Sequence, residues 1–191
     1  MYSQQVYKRG ITMKKKYVVW GLILLFVFAF YWVEFSPWSS TALQNYNNGY
    51  GTFDMKSYDA QKVYTVLSDM EPQGFTIYER YFIGDFLFVI GFGGVQILLS
   101  LVAYGWVKAR WIKGVAIGVP IARGIFDVIE NVLLLIVLLG YPTQYPDMIK
   151  IASRATTMKL AMIKVWIALI LVGLVIKISK RLLGKKTAAN S

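Results

Sequence analysis

Cysteine and histidine are both absent from the 191 residues. Without cysteine there is no disulfide, no thiolate nucleophile and no sulfur-ligated metal centre. Without histidine the chain lacks the usual zinc ligand and the side chain best suited to proton transfer near neutrality. Any chemistry has to run on carboxylates, Lys, Arg, Tyr, Ser or Thr. Acidic residues are also scarce, 10 against 21 basic ones, and no motif in the chain specifies a reaction.

What is abundant is apolar. Hydrophobic residues make up 57% of the chain and aromatics 16%, a balance that belongs to integral membrane proteins and fits a single domain. A net charge of +11 raises the question of a nucleic-acid partner, and its distribution answers it. Lys8, Arg9, Lys14, Lys15 and Lys16 precede the first apolar run, Lys108, Arg110 and Lys113 sit between two later runs, and Lys177, Lys180, Arg181, Lys185 and Lys186 follow the last. None of these segments contains an acid, and the remaining basic residues are outnumbered by the acids. The charge is therefore a topology signal, and no nucleic-acid partner is expected.

A helix that crosses the hydrocarbon core needs roughly 20 mostly apolar residues, and unpaired backbone groups are not tolerated there. Four runs qualify, at about 17–35, 81–107, 115–139 and 158–176. Pro146-Asp147 offers an earlier start for the last. The expected fold is all-α, a four-helix bundle in the cell membrane. Placing the basic segments inside puts both tails, 1–16 and 177–191, in the cytoplasm. An outer loop, 36–80, joins the first two spans. Trp20, Trp32, Trp38, Trp106 and Trp111 fall near the expected interfaces. A signal peptide cleaved after Ser40-Thr41-Ala42 competes for the first run, but its length and aromatic content favour a retained anchor. Met13, just before Lys14, is an alternative start.

Within the outer loop Ala60, Val63, Tyr64, Leu67 and Met70 follow helical spacing, with Ser57 available as an N-cap. This predicts a short amphipathic helix covering the mouth of the bundle. Asn47-Asn48-Gly49-Tyr50-Gly51 is rich in turn residues and is expected to be mobile.

Ionisable residues inside spans cost roughly 2.5 to 3.5 kcal/mol each, so they face a bundle interior or an aqueous cavity. On the third span Arg123, Asp127, Glu130 and Asn131 share one helical face, which must look inward. Counting along the helix puts Asp127 roughly 18 Å below its outer end. Asp85 is expected about one turn into the second span, at the outer end of the cluster and on the face of Tyr78. On the fourth span Thr157, Ala161, Lys164 and Ala168 line one face, which predicts a Lys164 to Glu130 ion pair and leaves Lys159 to snorkel elsewhere. Pro120 is expected to kink the third helix below the stripe, and Gly91, Gly93 and Gly94 to admit a close neighbour. Gly114-x-x-x-Gly118 is a spacing that could serve a homo-oligomer or a membrane-protein partner.

Three accounts fit this cluster: an outward-opening site for a small polar ligand or lipid head group, a network that only locks helix packing, and a divalent-cation centre acting on lipids. The order Gly74-x-x-x-Tyr78, Asp85, Asp127-Val128-Ile129-Glu130-Asn131 and Thr157-Met158-Lys159 resembles a pattern in small four-span bacterial membrane proteins. Over Gly74 to Lys164 that resemblance implies a four-helix arrangement with a polar stripe, and no activity. The spaced aspartates of the CDP-alcohol phosphotransferases and the histidines of the alkaline ceramidases are not present.

Overall fold

The computed structural model describes residues 2–189, with side chains over 16–182. The basic side chains expected at Lys8, Arg9, Lys14, Lys15, Lys185 and Lys186, and the alternative start at Met13, lie outside the described side chains. Six helices follow in order: α1 (Tyr2–Phe35), α2 (Ser40–Gln44), α3 (Ala60–Ser68), α4 (Pro72–Tyr104), α5 (Arg110–Gly140) and α6 (Pro146–Ala189). Among the described residues there is no strand.

Three helical stretches are long and apolar enough to cross a membrane: Lys16–Gln44, Pro72–Tyr104 and Pro146–Leu182. Their outward faces carry large apolar side chains such as Leu24, Ile83, Ile90, Leu171 and Val175, more than a protein in water exposes, which supports a membrane protein. The 31 residues of α5 would reach about 46 Å, but Arg123, Asp127 and Glu130 interrupt its apolar run. The helices outrun the expected spans. α4 starts at Pro72 rather than Tyr81, and α6 at Pro146, the earlier of the two starts expected for it, each with proline in the first turn, where its missing N–H is no loss.

The helices pack in sequence, α1 along α4, α4 along α5 and α5 along α6, with a lighter α4–α6 contact. The α1–α4 contact is close because of glycine. A Cβ at Gly91 would lie 2.8 Å from the Phe26 backbone, whereas one at Gly93 would meet nothing within 4 Å. Gly91→Ala is therefore expected to destabilise by about 1 to 3 kcal/mol through overpacking, and Gly93→Ala to be nearly silent, in thermal unfolding of the purified protein. Gly114 and Gly118 meet nothing within the chain. Pro120 lies buried inside α5.

At one end the loop between α1 and α4 folds into a cap. Val63, Val66, Leu67 and Met70 of the α3 region join Leu43, Phe53 and Tyr58 in a core with Tyr78, Leu134, Val137, Leu138 and Ile149 of the long helices. The amphipathic helix is present as expected, but its N-cap is Asp59, which accepts from the Lys62 N–H at 2.8 Å, and Ser57 is not used. The turn expected to be mobile is fastened. Buried Asn47 donates to Gly51 O at 2.7 Å and accepts from Gly51 N at 2.8 Å. Gly51 takes a φ of +76°, and a Cβ there would strike Ser40 Oγ.

At the other end Tyr104 donates to Leu169 O at 2.6 Å, and Lys180 lies over the Trp106 ring at 4.2 Å. Between the two ends, Gln96 is fully buried and neither amide atom has a partner among the described residues. Removing an unsatisfied buried amide relieves a cost of about 1 to 3 kcal/mol, so Gln96→Met is expected to raise the unfolding temperature. A lower temperature would mean that the amide has a bonding partner in the native state.

Candidate functional site

The long helices bring three of the predicted residues to one level. Asp85 and Lys159 each lie 13 residues in from the start of their helix, and Asp127 lies 13 residues back from the end of its own. That is about 20 Å from the capped end in all three cases. Asp85 is thus level with Asp127 rather than at the outer end of the cluster, because α4 begins a further two turns out.

The α5 stripe is buried as its spacing predicts, with Arg123, Asp127, Glu130, Asn131 and Leu134 all turned inward. Its partner on α6 is not the expected one. The buried face of α6 runs through Ile149, Ala152, Ala155, Thr156, Lys159 and Trp166. Lys159 is 2% exposed, whereas Lys164 and Thr157 are exposed and take no part in the cluster. The predicted Lys164 to Glu130 pair is replaced by Lys159 to Glu130, at 2.5 Å. The reason is helical phase: Lys164 is five residues, and so about 140°, around the helix from Lys159.

Lys159 meets three carboxylates. Its ammonium contacts Asp127 Oδ1 at 3.0 Å, Glu130 Oε2 at 2.5 Å, and Asp54, which descends from the cap. Asp54 and Asp127 accept hydrogen bonds from the ammonium, and Glu130 is in ion-pair contact. Asp127 also receives Arg123 at 3.1 Å, and the guanidinium lies over the Phe92 ring at 4.9 Å. Glu130 Oε1 accepts from Thr156 at 2.6 Å and from Tyr58 at 3.4 Å. Tyr58 belongs to the outer loop, where burial, with the nearby Glu130 charge, pushes its phenol above the ordinary range and keeps it a hydrogen-bond donor. Tyr78 contributes indirectly. Its hydroxyl accepts from the Phe53 N–H at 3.1 Å and so fixes the segment that carries Asp54.

Asp54, Tyr58 and Thr156 were missed by sequence reasoning. Asp54 and Tyr58 sit in a loop that had no reason to dip into the bundle, and Thr156 is adjacent to the predicted Thr157, one step out of phase.

Asp54, Asp127 and Glu130 present oxygens within 4.8 Å of one another, close enough to share a cation. The Lys159 ammonium already lies against all three, so a divalent ion would have to expel it. The donor set fits an ammonium and does not fit a metal.

Asp85 stands apart from these pairs. It is 3% exposed, its Oδ2 has no hydrogen-bond partner, and no cation lies within ion-pair distance of it among the described residues. Asn131, whose amide nitrogen has no other partner among the described residues, is the side chain placed to donate to Asp85. Asp85 lines a cavity of about 270 Å³ together with Asp54, Arg123, Asp127 and Lys159, and Tyr81, Phe88, Phe92 and Ile163 form an apolar wall. Val33 and Glu34 at the end of α1, with Met55 of the loop, border it on the capped side. Half-buried Asp54 and buried Asp85, Asp127 and Glu130 face Arg123 and Lys159, four carboxyl groups to two cations. No family model, curated protein or solved structure matches the chain.

Proposed function

We propose that the protein is a four-span bundle of the cell membrane, α5 being the span that carries the polar stripe. Both termini are cytoplasmic, and the cavity opens to the outer side to bind a small polar ligand or lipid head group. The observation that carries this reading is Asp85, a buried carboxylate with an unpartnered oxygen on the wall of a cavity. The rest of the cluster behaves differently. Asp54, Asp127 and Glu130 pair with Arg123 and Lys159 and tie three helices and the cap together, which is what a packing lock would do. Lock residues and Asp85 line the same cavity, and among the charged side chains buried there Asp85 is the one with no ion pair among the described residues.

The acid-free basic segments favour the proposed orientation, because the α4–α5 connection, with Lys108 and Arg110, lies at the end opposite the cap. A chain without cysteine allows single cysteines to be introduced on a clean background. Ile163→Cys, on the cavity wall, is expected to react with a membrane-impermeant thiol reagent on intact cells, and Lys108→Cys only after permeabilisation. The opposite pattern, or an unreactive Ile163→Cys, would overturn the reading.

A further inference from the structure

We propose that the ligand of this cavity presents an ammonium group, that Asp85 is its counter-ion, and that it enters through a gap between α1 and α6. The inference rests on the outward-opening cavity proposed above and names the chemistry that cavity selects.

Charge decides the sign of the ligand. Lys159 already lies against three carboxylates and Arg123 is paired with Asp127 through one nitrogen, its Nε being without a partner among the described residues, so four carboxyl groups outnumber two cations around an entering anion. An anion would meet unpaired Asp85 inside and exposed Glu34 at the rim. A cation meets an acceptor already stripped of water, where a charge-assisted hydrogen bond is strongest. The apolar wall agrees. Tyr81 and Phe88 offer aromatic surface beside Asp85, as binding sites for organic ammonium groups do. A bare proton would need neither the volume nor the aromatic lining.

The route follows from helix packing. α1 packs along α4 and α2 and makes no extended contact with α5 or α6. Yet Val33 of α1 and Ile163 of α6 both line the cavity. Two walls that do not pack on each other give the proposed route its place, between apolar residues and towards the lipid. An amphiphile with an amine head group matches that polarity. A small free amine arriving past Met55 would present the same ammonium to Asp85.

The test uses the full chain carrying Ile163→Cys in lipid nanodiscs, reading its rate of modification by a neutral methanethiosulfonate. The reference disc is made of phosphatidylglycerol, which has no amine. One arm replaces part of that lipid with phosphatidylethanolamine, and a second adds free ethanolamine against an equal concentration of sodium chloride. Slowing by on the order of tenfold or more is expected in at least one arm, because one desolvated charge-assisted bond is worth about that factor. Protection by the lipid alone assigns a head group, and protection by ethanolamine assigns a free amine.

Asp85→Asn should abolish the protection while leaving the reference rate within about twofold, since it removes an unpartnered charge and should not threaten folding. No protection in either arm, protection that survives Asp85→Asn, or equal protection by sodium phosphate added in a third arm would overturn the inference and leave the cavity reading intact. An unreactive Ile163→Cys in the reference disc would bring down both.

Discussion

Lys159→Met is expected to be the most destabilising single substitution among the charged residues, lowering stability by about 3 to 5 kcal/mol. Thermal unfolding of the purified protein in detergent would measure it. The size follows from what is stranded: Asp127 and Glu130 would be left buried without their ammonium, and Asp54 would lose the contact that draws it into the bundle. Lys164→Met, five residues further along and exposed, should change stability by no more than about 0.5 kcal/mol. Neutralising the stranded groups supplies the control. Asp127→Asn with Glu130→Gln in the Lys159→Met background should recover part of the loss, because neutral amides cost less to bury than unpaired carboxylates. If Lys159→Met proves silent and Lys164→Met damaging, the phase assigned to α6 is wrong. Asp85→Asn should behave oppositely to Lys159→Met, with unchanged or higher stability, since charges kept for binding are held at some cost to folding.

The contrast between the two lysines shows where the sequence stops being legible. The α5 stripe could be read directly, because Arg123, Asp127, Glu130, Asn131 and Leu134 stand out against an apolar background and leave one choice of face. α6 has no such contrast over its apolar stretch. Its inward face is marked by Ile149, Ala152, Ala155 and Thr156 in the turns before Lys159, and those turns become visible as helix only once the start at Pro146 is taken instead of Met158. Small residues were the right cue, as close packing requires, but Ala161 and Ala168 are small residues on the wrong face. The same early start, at Pro72, moved Asp85 from the rim to the level of Asp127.

Asp54 was beyond any local reading. It is 105 residues from Lys159 in the chain, and neither its neighbours nor its spacing mark it. Nothing in the residue pattern required it: two cations against three carboxylates already left the cluster one negative charge in excess, and the fourth carboxylate adds to that imbalance. The cap itself was half legible. The periodicity of α3 announces a buried face, while the turn at Asn47 to Gly51 carries the composition of a mobile loop. Composition cannot report that the Asn47 side chain closes that turn on itself or that Ser40 lies against it.

The cap also borders the cavity, and Phe53→Ala is the substitution that should open an aqueous way past it, distinct from the proposed route between α1 and α6. Phe53 is 2% exposed, its ring centroid 5.2 Å from Tyr50 and 5.4 Å from Tyr58, and its N–H is held by Tyr78. Truncating such a ring costs about 3 to 5 kcal/mol from the lost burial and the cavity left behind. Asp54 is the next residue, so loosening Phe53 releases the carboxylate that reaches Lys159 and unpins the loop bordering the cavity. Two readouts should therefore move together: the unfolding temperature falls, and Ile163→Cys becomes several-fold more reactive towards an impermeant reagent at temperatures where the protein is still folded. Met55→Ala, at an exposed neighbouring position, should leave the unfolding temperature nearly unchanged. If Phe53→Ala lowers stability but leaves the reactivity of Ile163→Cys unaltered, entry does not pass the cap, and the proposed route between α1 and α6 is left as the way into the cavity.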